Sequence, residues 1–116
     1  MYTYKVIDVI SIYDGDTMKV ILDLGFGITS RQTIRFYGIN APEMRGDNKA
    51  NGAITRDWVR NKIYNHLMKN GEIIIETLKD KHGKYGRLLG KVFLDNEELS
   101  LNKQMVNEGL AVEYMK

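Results

Sequence analysis

The stretch Tyr4–Leu24, YKVIDVISIYDGDTMKVILDL, decides the fold, because two runs rich in β-branched and apolar residues flank one Asp-Gly turn signal. Upstream, Tyr4 to Ile12 sets Tyr4, Val6 and Asp8 against Lys5, Ile7 and Val9, the period of two of a strand with one face inward. Downstream, Thr17 to Leu24 places Met18, Val20, Leu22 and Leu24 on one side. The expectation is a β-hairpin with Asp14 and Asp16 at its tip. By itself such a tip is ordinarily only a turn, since aspartate bonds local amides and glycine accepts positive φ.

Gly25-Phe26-Gly27 supplies the next turn, and Arg31 to Ile39 reads as the third strand of an antiparallel meander. Within Thr33–Glu43, TIRFYGINAPE, Ile34 and Phe36 alternate with Thr33, Arg35 and Tyr37, so Arg35 faces away from the apolar pair. Gly38 relaxes the backbone where the strand ends, and Pro42, the only proline, stiffens the turn that carries Asn40 and Glu43. Amide and carboxylate oxygens are hard cation ligands, and a guanidinium pairs bidentately with phosphate. A cation site beside a phosphate site suits this turn; taken alone, the stretch reads more readily as a surface turn with ordinary charges.

After a polar loop from Arg45 to Asn51, a helix is expected between Ala50 and Asn70, with Val59, Ile63 and Leu67 on one face and Gly71 to stop it. Ile54 and Trp58 do not fall on that stripe. Glu72 to Leu78 and Leu88 to Leu94 read as the fourth and fifth strands, with a turn at Asp95-Asn96. Ser100 caps a short helix in which Leu101 and Met105 share a face, and Gly109 ends it. Three strands, a helix, two strands and a short helix make an α+β, mainly β, domain. The arrangement matches the five-stranded Greek-key barrel called the OB-fold.

Composition narrows the chemistry. At 116 residues the chain suits a single domain. It has no cysteine and two distant histidines, His66 and His82, so a metal must rely mainly on oxygen. No apolar run is long enough to span a bilayer, and MYTYKV lacks the features of a signal peptide, so the expected location is cytoplasmic, or secreted if the sequence is a trimmed form. Net charge is only +2, but Lys79, Lys81, Lys84, Arg87 and Lys91 face a single acid, Asp80, in one stretch. Such a loop can attract a phosphate backbone, although most short basic runs are solvated surface. Tyr85, flanked by glycines in that loop, is better placed to touch a nucleotide than Phe36, Tyr37 or Trp58, which read as packing residues.

Three clusters lie at strand ends or loops: Asp14-Gly15-Asp16-Thr17; Arg35 with Asn40-Ala41-Pro42-Glu43; and Lys84-Tyr85-Gly86-Arg87. Each is weak, but their combination and order are specific. With Glu108-Gly109-Leu110-Ala111, they make the chain resemble the thermonuclease, or staphylococcal nuclease-like, family from about Tyr4 to Tyr114. The resemblance implies an OB-fold and a calcium-dependent phosphodiesterase that cuts DNA and RNA, prefers single strands and leaves 3′-phosphates. It implies that Asp16, Asn40 and the backbone carbonyl of Ala41 bind one calcium ion, with Asp14 as a further candidate. By the same resemblance Glu43 handles the attacking water, Arg35 and Arg87 grip the phosphate, and Lys84, Tyr85 and Tyr114 contact the nucleotide.

The chemistry is coherent without the resemblance. A phosphodiester repels hydroxide, so hydrolysis needs positive charge on its oxygens and a base for the nucleophile. Two departures bear on it. Asn40 stands where well-known members have aspartate, which predicts weaker calcium binding, and the sequence stops at Lys116 where they continue into another helix. The alternative is a non-catalytic OB-fold that binds single-stranded nucleic acid or a protein; a structural α+β domain would need all three clusters to be chance. A monomer is the default expectation.

Overall fold

Strand β1, Tyr2–Asp14, buries Val6, Val9 and Ile12, a spacing of three where the sequence pattern suggested two. Its register against β2, Thr17–Gly25, explains the difference: Val6 pairs Leu22 and Asp8 pairs Ile21, Val9 pairs Val20 and Ser11 pairs Lys19, Ile12 pairs Met18 and Asp14 pairs Thr17. Ile7, Ile10 and Tyr13 are thus extra residues in successive bulges, all solvent-exposed. Each bulge adds bend and right-handed twist, which lets a long strand wrap around a narrow barrel. Arg60 donates to the Ile12 carbonyl at 2.9 Å, tying the bulged strand to the helix.

The structure is a computed structural model that describes residues 2–82, 86–95 and 97–114. Strand β3, Ile28–Phe36, pairs antiparallel with β2, and a separate short strand β4, Ile39–Asn40, follows after Gly38. The third strand is therefore broken where the sequence suggested continuity, because Gly38 adopts φ +80°. Helix α1 spans Lys49–Met68, β5 Ile73–His82 and β6 Leu88–Leu94. Helix α2 covers Leu101–Asn107, and β7, Val112–Glu113, pairs with β4.

The five long strands close into a barrel in the order β1-β2-β3-β6-β5, antiparallel except for the parallel β3/β6 pair. This is the expected OB-fold. Met18, Val20 and Leu22 fill it from β2, and Leu88, Val92 and Leu94 from β6. Leu24 is not inside; β2 overshoots the barrel into a tip where Phe26 is fully exposed. Helix α1 closes one end with Gly52, Thr55, Val59 and Ile63, while Leu67 and Trp58 are partly buried and Ile54 is exposed.

Helix ends follow local rules with one correction. Ser100 caps α2, accepting from the Lys103 amide at 3.1 Å, and Gly109 takes φ +74° just after it. After α1 the left-handed residue is Asn70 at φ +61°, not Gly71. Gly71 is needed for space, since a Cβ there would stand 2.3 Å from the His66 ring. Among the described residues no helix is long and apolar enough to cross a membrane.

Candidate active site

The β1–β2 turn, the end of β3 and the start of β4 converge at one end of the barrel. Asp14 pairs with Thr17, leaving Gly15 and Asp16 as the turn, and Thr17 pairs in turn with Arg35. The Asp16 carbonyl accepts from the Phe36 amide at 2.8 Å, which locks the turn against β3. The Ala41 amide donates to Asp16 Oδ2 at 2.9 Å, bringing the Asn40–Glu43 turn onto the same carboxylate.

Arg35 is the hub. Its Nη2 donates to Asn40 Oδ1 and lies 3.6 Å from Asp16 Oδ2, while Nη1 donates to the Phe36 carbonyl at 2.7 Å. The Asp16 and Arg35 side chains are only 14% and 13% exposed, so water screens this pair less than a surface pair. Asp14 lies beside them. Burial, reinforced by the Asp16 charge, pushes its carboxyl up to about 6. Its Oδ1 is buried with no hydrogen-bond partner among the described residues.

Two glycines allow the pieces to meet, and sequence reading missed why. A Cβ at Gly15 would stand 2.5 Å from Thr55 Cγ2 and 3.1 Å from Ala41 Cβ. Gly15 is not in the left-handed region; it is required by close approach rather than by turn geometry. A Cβ at Gly52 would stand 2.3 Å from the Glu43 carbonyl oxygen, so the first turns of α1 pack directly on the turn that carries Glu43. Buried Thr55 extends the junction, donating to the Leu110 carbonyl at 2.7 Å.

Asn102 is a further support that the sequence reading passed over. Its amide donates to the Tyr37 and Gly90 carbonyls at 2.9 and 3.1 Å, and its oxygen accepts from the Val92 amide at 3.0 Å. It ties α2 to β6 and to the segment leading into Asn40. The available signal was a carboxamide beside Leu101 in a short helix.

The remaining candidates are placed differently. Glu43 is 66% exposed on its side chain and pairs with Arg45 at 3.6 Å, turned toward a surface cation. Arg87 is half-buried immediately before β6, whose Leu88 pairs with Ile34 and Leu89 with Arg35. Tyr114 donates its amide to the Gly38 carbonyl at 2.8 Å and is 44% exposed as a residue. Lys84 and Tyr85 lie outside the described residues, as do the side chains of Lys79, Lys81 and His82.

The chain matches the family model described as Staphylococcal nuclease homologue over residues 33–116. It belongs to the staphylococcal nuclease homologue family. Over 99 residues, 84% of this chain, it is 32% identical to Endonuclease YncB of Bacillus subtilis (strain 168), covering 43% of that protein. It is also 32% identical over 99 residues to SPbeta prophage-derived endonuclease YokF of the same strain, covering 30% of that protein. The chain thus spans less than half the length of either relative.

Within this staphylococcal nuclease homologue, the donors near Arg35 are all oxygen. No group of three or more His, Asp or Glu side chains suited to a metal is assembled among the described residues. The side chains that could hold a hard cation are therefore mixed: the Asp16 carboxylate, the Asn40 amide oxygen and the orphaned Asp14 oxygen, with the Ala41 backbone joined to Asp16 through its amide. That chemistry fits calcium, which accepts carboxylate, amide and carbonyl oxygens in irregular geometry. Asn40 Oδ1 keeps a second lone pair beyond the one Arg35 uses.

Proposed function

We propose that this chain is a calcium-dependent phosphodiesterase that hydrolyses DNA and RNA, with single strands preferred and 3′-phosphate products. The observation that carries the reading is the Arg35 guanidinium, held between Asp16 and Asn40 on a turn that also bears Glu43. Family membership supports a nuclease, as do the two relatives named endonucleases.

Asp16, Asn40 and the Ala41 carbonyl would hold calcium, with Asp14 adjoining. Bound there, the ion supplies Lewis-acid polarisation of a phosphoryl oxygen. Arg35 and Arg87 neutralise the non-bridging oxygens and stabilise the charge that builds as phosphorus becomes five-coordinate. Glu43 leaves Arg45 and takes a proton from water as the water oxygen bonds to phosphorus; the bond from phosphorus to the 5′ oxygen breaks, that oxygen takes a proton from solvent to leave as the 5′-hydroxyl, and the 3′-phosphate remains. Lys84, Tyr85 and Tyr114 contact the nucleotide.

The Glu43–Arg45 pair favours one competing reading, a non-catalytic OB-fold that binds single-stranded nucleic acid or a protein. Cleavage of labelled single-stranded DNA in calcium and in chelator, beside Glu43→Gln, separates the two. Calcium-dependent cutting that collapses in the variant supports the enzyme. Intact DNA throughout, with binding retained, supports the module.

A further inference from the structure

Helix α1 carries Lys49, Arg56, Arg60 and Lys62, with Lys69 at its C-terminal cap, against a single acid, Asp57. Two of these cations have internal tasks: Arg60 holds the Ile12 carbonyl and Arg56 pairs with Asp57 at 3.1 Å. Lys62 does something else. Its ammonium lies over the Trp58 ring, 5.4 Å from the centroid, on a side chain otherwise packed partly against the core.

Two cavities, about 350 and 200 Å³, share Trp58 and Lys62 in their walls. One continues along α1 past Asn61 and Asn65 to Lys69; the other opens toward Asn107 and Glu108 of the α2 end. Adjoining at these two shared residues, the two depressions together make up a candidate groove whose lining offers a flat indole, two ammonium groups, several carboxamides and one carboxylate. From Trp58 to Lys69 the helix advances about 16 Å at about 1.5 Å per residue.

We propose that this groove holds a segment of single-stranded nucleic acid, separate from the Arg35 site. Such a strand is a polymer in which every unit brings both a negative charge and a planar ring. Trp58 offers the stacking surface, and Lys62 and Lys69 meet the phosphates. The ammonium that now covers the indole is drawn to a phosphate, which opens the ring to a base. The carboxamides bond base edges or sugar without selecting a sequence. Gly52 packs on the Glu43 carbonyl, and Trp58 stands six residues further along, about 9 Å by the helical rise. A strand leaving the proposed catalytic turn therefore reaches the groove within a few nucleotides. Only that continuity rests on the nuclease reading; binding in the groove does not.

Trp58 is the only tryptophan, so its fluorescence reports on the groove directly. The whole chain is titrated with dodecathymidylate in chelator, with binding followed in parallel by anisotropy of a labelled oligonucleotide. Saturable quenching that weakens with salt is expected. In the Lys62→Ala, Lys69→Ala double variant the affinity should fall about tenfold or more. The slope of log affinity against log salt should also shrink by about 1.4, at about 0.7 for each phosphate of a single strand that a lysine no longer neutralises.

Binding seen by anisotropy without change at Trp58, equal affinity in the double variant, or equal quenching by polyglutamate would each overturn the proposal, the last by favouring an acidic protein ligand. Calcium-dependent cleavage is measured alongside. Quenching without cleavage would defeat the nuclease reading and leave the groove; cleavage without quenching would do the reverse.

Discussion

Arg35 and Asn40 are hydrogen-bonded through Nη2 and Oδ1, and the same guanidinium nitrogen lies 3.6 Å from Asp16. One cation thus serves a carboxylate and a neutral amide, a trio with no net charge to offer a cation. Asn40→Asp adds a charge at the proposed calcium site, and calcium affinity measured by titration calorimetry should rise at least about tenfold, or about 1.4 kcal/mol. Unchanged affinity would remove position 40 from the ligand set.

Arg87→Ala tests the second guanidinium. The residue precedes β6 at the parallel β3/β6 pair, outside the apolar core, so the far-ultraviolet circular dichroism should be retained. Turnover on single-stranded DNA should fall by about two to three powers of ten, the usual loss when one electrostatic partner is removed from such a site. Full turnover in the variant would show that Arg35 suffices.

Gly52→Ala should behave opposite to the usual rule for helices, where alanine gains roughly 0.5–1 kcal/mol over glycine. The new Cβ meets the Glu43 carbonyl 2.3 Å away, and backbone cannot yield as a flexible side chain would. Urea denaturation should show a loss of about 1–3 kcal/mol, typical of overpacking. Activity should fall further than stability accounts for, because the displaced segment carries Glu43. Asn51→Ala, on the exposed face of the same turn, is the control.

Asp14 gives the fold a pH dependence of unusual sign. Its folded carboxyl titrates near 6, above the ordinary 3.8, so the folded state binds this proton more tightly than the unfolded chain. Between about pH 6 and pH 4 this group therefore adds stability as pH falls. In chelator, Asp14→Asn should be more stable than the parent at pH 8, and the difference should shrink toward pH 4. A gap that stays constant from pH 8 to pH 4 would contradict burial and Asp16 repulsion as the cause of the shift.

Much of the fold was legible because it depends on local rules. The alternation in β2, the caps at Ser100 and Gly109 and the apolar face of α1 at Val59 and Ile63 follow from neighbours a few residues apart. Asp16, Arg35 and Asn40 were legible as candidates because each stands at a strand end or turn with chemistry that a buried strand face would not tolerate. The spacing of three in β1 was not legible. Bulges at Ile7, Ile10 and Tyr13 exist only in the pairing with β2, and nothing within β1 distinguishes them from ordinary strand residues.

The sequence by itself thus determined the order of the five long strands and two helices, though not the short pair β4 and β7, and the identities of the charges and oxygens available to the candidate site. Tertiary structure alone decided which polar groups meet across the chain, Arg35 with Asp16 and Asn40, and that Asp14 is buried beside them. It also decided that Gly15 and Gly52 serve close packing, a property of the surface opposite each glycine. The physical reason is common to all of these. Hydrophobic alternation and capping act along the chain, whereas electrostatics and steric exclusion fall off with distance in space, and closing the barrel brings together residues as far apart in sequence as Gly15, Ala41 and Thr55.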